Sequence, residues 1–187
     1  MPGSLIVISG PSGVGKSTVV RRLVERLGAT VSVSATTRRQ SQQEKHGVDY
    51  YFISEDEFRR MIEQDELLEW AEYLGNFYGT PRAAVESALA EGRDMLLEIE
   101  VEGAKQVAKK FSAAIMVYLL PPSDEDLRRR LVGRSREGQA QIETRFANAK
   151  REIAQARESG VYDHWVVNVE VDRAVDEIAA IVEQRSR

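Results

Sequence analysis

The 187-residue sequence predicts one α/β domain, with a central parallel sheet covered by helices on both faces. Three observations lead there. Short, continuous apolar runs read as strands buried on both sides; amphipathic segments of helical spacing lie between them; and a glycine-rich turn joins the first run to the first helix. A composition of 42% hydrophobic and 30% charged residues, without a repeat or low-complexity tract, is that of a globular chain, so no long stretch is read as disordered. A chain of this length buries enough surface for one core.

Residues 4–9 form the first buried strand, and Val19, Val20, Leu23, Val24 and Leu27 recur at helical spacing behind the turn. Residues 95–99 and 114–120 are two further strands, separated by a helix over about 102–110, as in a βαβ unit. A last apolar run, 164–169, precedes a closing helix whose Ala174, Ile178, Ile181 and Val182 share a face. The stretch from about 34 to 90 differs, with a loop, short Tyr- and Phe-bearing strands, and a helix opened by the capping box Ser54-Glu55-Asp56-Glu57. It reads as an inserted binding region. Residues 123–157 are rich in Arg, Glu and Gln, start at Ser123 as N-cap and contain a loose stretch over 133–141, a pattern expected of two lid helices. The core then comprises about 1–33, 91–122 and 158–187.

Between the first strand and helix, Gly10-Pro11-Ser12-Gly13-Val14-Gly15-Lys16-Ser17 fits G-x-x-x-x-G-K-[ST], the P-loop pattern, in the context it requires. A chance match in a chain this long is about a one-in-a-hundred event from average residue usage. Glycines let the backbone wrap a polyphosphate with its N–H groups inward, and the following helix turns its positive end to the same charge. Lys16 is expected to reach the β- and γ-phosphates of ATP, and the Ser17 hydroxyl to ligate Mg2+.

Other chemistries are excluded or left without support. A net charge of −4 argues against a nucleic-acid binder. With no cysteine there is no disulfide or thiolate, and His46 and His164 read as solvated rather than as a paired site. The N-terminus lacks the pattern of a secretory signal, and the longest apolar run, 113–120, is less than half a membrane span, so the expected location is the cytoplasm with no membrane partner. Monomer and homo-oligomer are both open.

A P-loop alone leaves hydrolase, motor, switch and kinase open. Further segments resemble the guanylate kinase family in order and spacing: Ser32-Val33-Ser34-Ala35-Thr36-Thr37-Arg38, Gly47-Val48-Asp49-Tyr50-Tyr51-Phe52, Leu68-Glu69-Trp70-Ala71 and Gly75-Asn76-Phe77-Tyr78-Gly79-Thr80. They continue with Leu97-Glu98-Ile99-Glu100, Gly103, Arg130-Leu131-Val132-Gly133-Arg134, Arg145 and Val166-Val167-Asn168, over nearly the whole chain. The resemblance implies a three-layer P-loop kinase fold in which 34–90 binds GMP and 123–157 is the lid, and a transfer from Mg·ATP to GMP or dGMP.

It also implies roles. Glu69 would accept the two neighbouring guanine donors, N1–H and the exocyclic amine, with Ser34, Thr80 and Glu100 around the base. Arg38, Tyr50 and Tyr78 would hold the GMP phosphate. Residues 10–18, including Thr18, would bind ATP, with Asn168 near the adenine. Lys16, Arg38, Arg130, Arg134 and Arg145 would neutralise the transferring phosphoryl group, whereas Arg128 and Arg129 read as a solvated face.

The sequence also departs from the family's pattern. Ser41 stands where a second phosphate-binding arginine is usual, which predicts weaker GMP binding unless Arg39 or Lys45 replaces it. Glu100 and Glu102 replace an Asp and a Gln, Ser135-Arg136-Glu137 replace Gly-Thr-Asp, and Val169 replaces an acid. Two alternatives stay open: a catalytically impaired, protein-binding module of guanylate kinase type, disfavoured by the intact Lys16-Ser17, and a P-loop kinase with another phosphorylated acceptor, disfavoured by Glu69 and Ser34.

Overall fold

A computed structural model describes residues 2–132 and 139–185. Its main sheet is parallel, in the order β2-β7-β1-β8-β9, from β1 (Leu5–Ser9), β2 (Thr30–Val31), β7 (Met95–Glu98), β8 (Ile115–Leu120) and β9 (His164–Val167). Every residue of central β1 is at most 1% exposed, as a strand covered on both faces must be. Its alternating side chains divide between two cores. Leu5 and Val7 join Leu97, Met116 and Tyr118 on one face, while Ile6 and Ile8 join Leu96, Ile115 and Val117 on the other.

Helices α1 (Lys16–Leu27) and α7 (Val171–Arg185) cover the second face through Val19, Leu23, Ala174 and Ile178. The first face is covered by α3 (Arg82–Ala90), α4 (Val101–Lys110) and the end of α6 (Gln139–Ser159), through Val85, Leu89, Ala104, Val107 and Ala156. Thus α3, within the inserted stretch by sequence, packs as part of the main core.

The inserted region forms a second sheet, in the order β4-β3-β6-β5, from β3 (Ala35–Thr36), β4 (Tyr51–Phe52), β5 (Leu67–Tyr73) and β6 (Asn76–Pro81). Its own small core gathers Ala35, Phe58, Leu67 and Phe77 under α2 (Glu55–Glu63). Ser54 caps α2, its hydroxyl accepting from the Glu57 amide at 3.1 Å, the first half of the expected capping box. Gln106 ties this sheet to α4, accepting from the Trp70 amide at 3.1 Å and donating to the Trp70 carbonyl at 2.8 Å.

The two helices expected over 123–157 are α5 (Asp124–Val132), capped by Ser123, and α6. Several boundaries differ from expectation by a residue or more, two of them instructively. Gln139–Gln141 are helical rather than loose, forming the exposed start of α6 ahead of Ile142 and Phe146, which pack with Ala149; residues 133–138 lie outside the described residues. The last strand stops at Val167: the Asn168 amide makes the closing ladder bond to the Leu120 carbonyl at 2.8 Å, and the Val169 amide then turns back to the Val167 carbonyl at 3.0 Å. No helix among the described residues is long and apolar enough to cross a membrane.

Candidate active site

The parallel strands end at a cleft of about 600 Å³ lined by Ser12, Lys16, Ser17, Ser34, Tyr50, Thr80, Glu98, Glu100 and Glu152 among others. Such a position, outside the carboxyl ends of the strands, is where open α/β sheets bind ligands. Strand β1 delivers residues 10–18 to its floor. The chain enters α1 through Gly15, at φ 97° in the left-handed region, which an L side chain resists. A Cβ there would also stand 2.9 Å from the Asn168 amide nitrogen, so the turn needs glycine twice over.

Lys16 Nζ donates to the Gly10 carbonyl at 3.1 Å and to Glu100 Oε1 at 3.3 Å. Ser17 Oγ donates to Glu98 Oε1 at 2.7 Å. Glu100, expected beside the guanine, lines the same cleft as Ser34 and Thr80 and stands beside Lys16 at the turn that opens α4. Sequence reasoning missed Glu98. The available signal was position, a carboxylate ending a buried strand next to the P-loop strand. Ser17 and Glu98 supply the hard oxygens Mg2+ prefers, and a P-loop Mg2+ takes only one or two protein ligands beside substrate phosphates and water. The donor set fits that ion.

Behind the loop, Arg130 donates to the carbonyls of Val14 at 3.0 Å and Asn168 at 2.8 Å. Asn168, 2% exposed, donates from Nδ2 to the Val14 carbonyl at 2.8 Å. Its buried Oδ1 has no hydrogen-bond partner among the described residues. Gly13, Thr18, Arg130 and Asn168 line a second hollow of about 300 Å³ on this side of the loop. Arg145 reaches Ser12 Oγ from α6 at 3.3 Å. Lys16, Arg130 and Arg145 therefore all attach to the loop, and the expected role of Arg134 falls outside the described residues.

Across the cleft Glu69 is only 6% exposed. Thr80, its neighbour on β6, donates to Glu69 Oε1 at 2.6 Å. Burial pushes the Glu69 carboxyl above the usual glutamate range, and the Thr80 hydroxyl pulls it partly back. The other oxygen lies against α4, where a Cβ on Gly103 would stand 2.7 Å from Glu69 Oε2. Only glycine lets helix and carboxylate come this close. Ser34 lines the cleft between this pocket and the P-loop.

Arg38, Tyr50 and Tyr78 come together as expected, with the Arg38 guanidinium 5.5 Å from the Tyr50 ring and the two tyrosines 6.1 Å apart. An unforeseen residue, Glu44, accepts from Arg38 at 3.1 and 2.6 Å and from the Ser41 amide at 2.9 Å. Arg38 first and the Ser41 amide second hold the Glu44 carboxyl down at about 2. Glu44 sits in an irregular loop with no periodicity to single it out.

The guanylate kinase family model matches residues 3–185. The fold is similar to that of a solved guanylate kinase from Anaplasma phagocytophilum, at 34% identity and a TM-score of 0.74, covering 98% of this chain and 86% of that one. It is also similar in fold to a protein described as uncharacterized from Eubacterium ventriosum, at 13% identity and a TM-score of 0.55, covering 97% and 98% of the two chains.

Proposed function

The chain belongs to the guanylate kinase family, a family of nucleotide phosphoryl transfer, and we propose that it carries the terminal phosphoryl group of Mg·ATP to GMP, and also to dGMP, giving ADP and the diphosphate. The observation that carries this reading is Glu69, a buried carboxylate whose Oε1 is held by Thr80. An ionised carboxylate is an acceptor at both oxygens, and guanine presents two adjacent donors along one edge. Adenine presents an acceptor there and leaves the acid unpaired, the kind of mismatch that supports discrimination of about 10⁴.

The acceptor oxygen of GMP is already ionised, so the reaction requires alignment and charge neutralisation rather than a catalytic base. Arg38, with Tyr50 and Tyr78, holds the acceptor phosphate, and Glu44 keeps the Arg38 fork oriented. The main-chain N–H groups of the loop, Pro11 excepted, and Lys16 hold the donor phosphates; Arg130 and Asn168 line the hollow in which the adenine lies. Ser17 and Glu98 would hold Mg2+, which would supply charge neutralisation at the donor phosphates. The α5–α6 lid brings Arg145, and Arg134 with it, toward the transferring group and excludes water. The reading carries with it a cytoplasmic place in purine nucleotide metabolism.

A coupled ADP-release assay with Mg·ATP against GMP, dGMP, AMP, CMP and UMP tests the assignment. Turnover concentrated on GMP and dGMP is expected; preference for AMP sinks the role given to Glu69.

Two substitutions probe the acceptor side. Gly103→Ala adds a methyl 2.7 Å from Glu69 Oε2, so the carboxylate must swing away. The KM for GMP is expected to rise about 10-fold or more while that for Mg·ATP stays put, since a small misplacement at a hydrogen-bonded site is expensive. Ser41→Arg restores a second cation beside Arg38, and one charge-assisted contact of about 1.5–3 kcal/mol corresponds to a KM for GMP lower by about 10-fold to 100-fold. An unchanged KM in steady-state kinetics rules out the missing clamp.

A further inference from the structure

Resting on the phosphotransferase reading, we infer that Glu152 is a positioning residue that ties the tip of the phosphate loop to α6 and so fixes where Arg145 stands. On α6, Arg145, Ala149, Glu152 and Ala156 follow at spacings of four, three and four, which places them along one face. Both alanines are fully buried, Ala149 with Leu127 and Leu131 of α5 and Ala156 in the core beneath the main sheet. The rotation of α6 about its axis is thereby set, and Arg145 and Glu152 have to meet the loop.

They converge on a single residue there. Glu152 Oε2 accepts from the Ser12 amide at 3.0 Å, and Arg145 Nη2 donates to Ser12 Oγ at 3.3 Å. One helix face thus grips the loop tip by its main chain and by its side chain, two helical turns apart. A carboxylate is a costly choice at this spot for packing alone. Glu152 is half-buried, and burial first, then the neighbouring Glu100, push its carboxyl above the ordinary range, against the pull of the Ser12 amide and Lys16. Glutamine or leucine would fill the same space without that penalty. The direct contact that offsets it is the Ser12 amide, a donor belonging to the loop assigned above to the donor phosphates. Without the tether the loop tip and α6 move independently, and Arg145 loses its fixed distance from the transferring phosphoryl group.

The test compares Glu152→Gln, Glu152→Ala, Arg145→Ala and the Arg145→Ala/Glu152→Ala double variant. Three quantities are read on the full chain: affinity for Mg·ATP by titration without acceptor, kcat and KM with GMP, and thermal midpoint. Glu152→Ala is expected to weaken Mg·ATP binding and lower kcat, each by about 10-fold to 100-fold, the worth of one charge-assisted bond and of a displaced Arg145, with the KM for GMP unchanged. Glu152→Gln, which keeps an acceptor for the Ser12 amide, is expected to restore both to within about 3-fold, since the tether needs an acceptor rather than a charge. In the Arg145→Ala background the further loss in kcat from Glu152→Ala is expected to stay under about 2-fold, because the two residues act as one unit. Should Glu152→Ala not fold, Glu152→Leu, of similar bulk, takes its place in every comparison.

Wild-type binding and turnover in Glu152→Ala, equal impairment of Glu152→Gln, or losses that multiply in the double variant each overturn the inference. A wild-type protein that binds Mg·ATP but does not phosphorylate GMP overturns the acceptor reading instead, and the Mg·ATP titration still decides the tether.

Discussion

Glu69→Gln is expected to lower kcat/KM for GMP by about 10²–10⁴, the loss a site incurs when buried hydrogen-bonding groups no longer match. Glutamine keeps the shape but replaces one acceptor oxygen by an NH2 group. With Thr80 donating at 2.6 Å to Oε1, either amide orientation fails: the NH2 faces the Thr80 hydroxyl or it faces the guanine donors. Steady-state kinetics with GMP and AMP read the result, and wild-type selectivity in the variant removes Glu69 from the acceptor pocket.

The same substitution has an opposite signature in stability. Burial raises the folded pKa of Glu69, so the folded state binds its proton more readily than the unfolded chain does. By linkage, this group's penalty is absent below the unfolded pKa of about 4.3, grows as pH rises through the folded value, and is complete above it. At neutral pH, Glu69→Gln is therefore expected to raise the thermal midpoint of the free protein, and the difference is expected to shrink as the pH is lowered through the folded pKa. Melting curves across pH check this; a lower midpoint for the variant at pH 7 contradicts a charged, desolvated Glu69. For the same reason the KM for GMP in the wild type is expected to rise on acidification at a pH above the ordinary glutamate range, and not to do so in the glutamine variant.

Lys16→Ala is expected to lower kcat by about 10²–10³, the usual effect of removing one preorganised cation or donor from developing phosphoryl charge. The KM for GMP is expected to stay within about 3-fold, since Lys16 lies on the donor side. Loss of folding is a poor rival explanation for such a result. The side chain of Glu100, the partner of Lys16, is 71% exposed and that of Lys16 14%, so the pair opens to solvent on the carboxylate side and contributes about 0–1 kcal/mol. An unchanged melting midpoint with a collapsed kcat is the expected outcome; kcat at the wild-type level refutes the P-loop assignment.

What could be read in the sequence follows how local each feature is. The P-loop is eight consecutive residues, and the strands around it announce themselves because both faces of β1 are buried and its residues are all apolar but Ser9. Glu69 could be nominated through the resemblance alone. What makes it a buried acid, Thr80 and Gly103, lies 11 and 34 positions on and meets it only through β5–β6 pairing and the approach of α4. Glu98 and Glu100 look alike in sequence, yet the strand ends between them, which leaves one beside Ser17 and sends the other to Lys16. Glu44 finds Arg38 across an irregular loop. Glu152 stands seven residues from Arg145, a spacing that is visible, but an Arg- and Glu-rich helix reads as solvated until Ala149 and Ala156 are seen to fix its inner face.

The chain from Glu98 to Gly103 runs from the carboxylate beside Ser17, past the one beside Lys16, to the glycine under Glu69. Six residues thus border both halves of the cleft, and a change to one half cannot be made there in isolation. If the proposed function holds, randomising this junction to change the accepted base is expected to disturb Mg2+ binding as well, whereas a library that leaves it intact and varies Ser34 and Thr80 is expected to spare it.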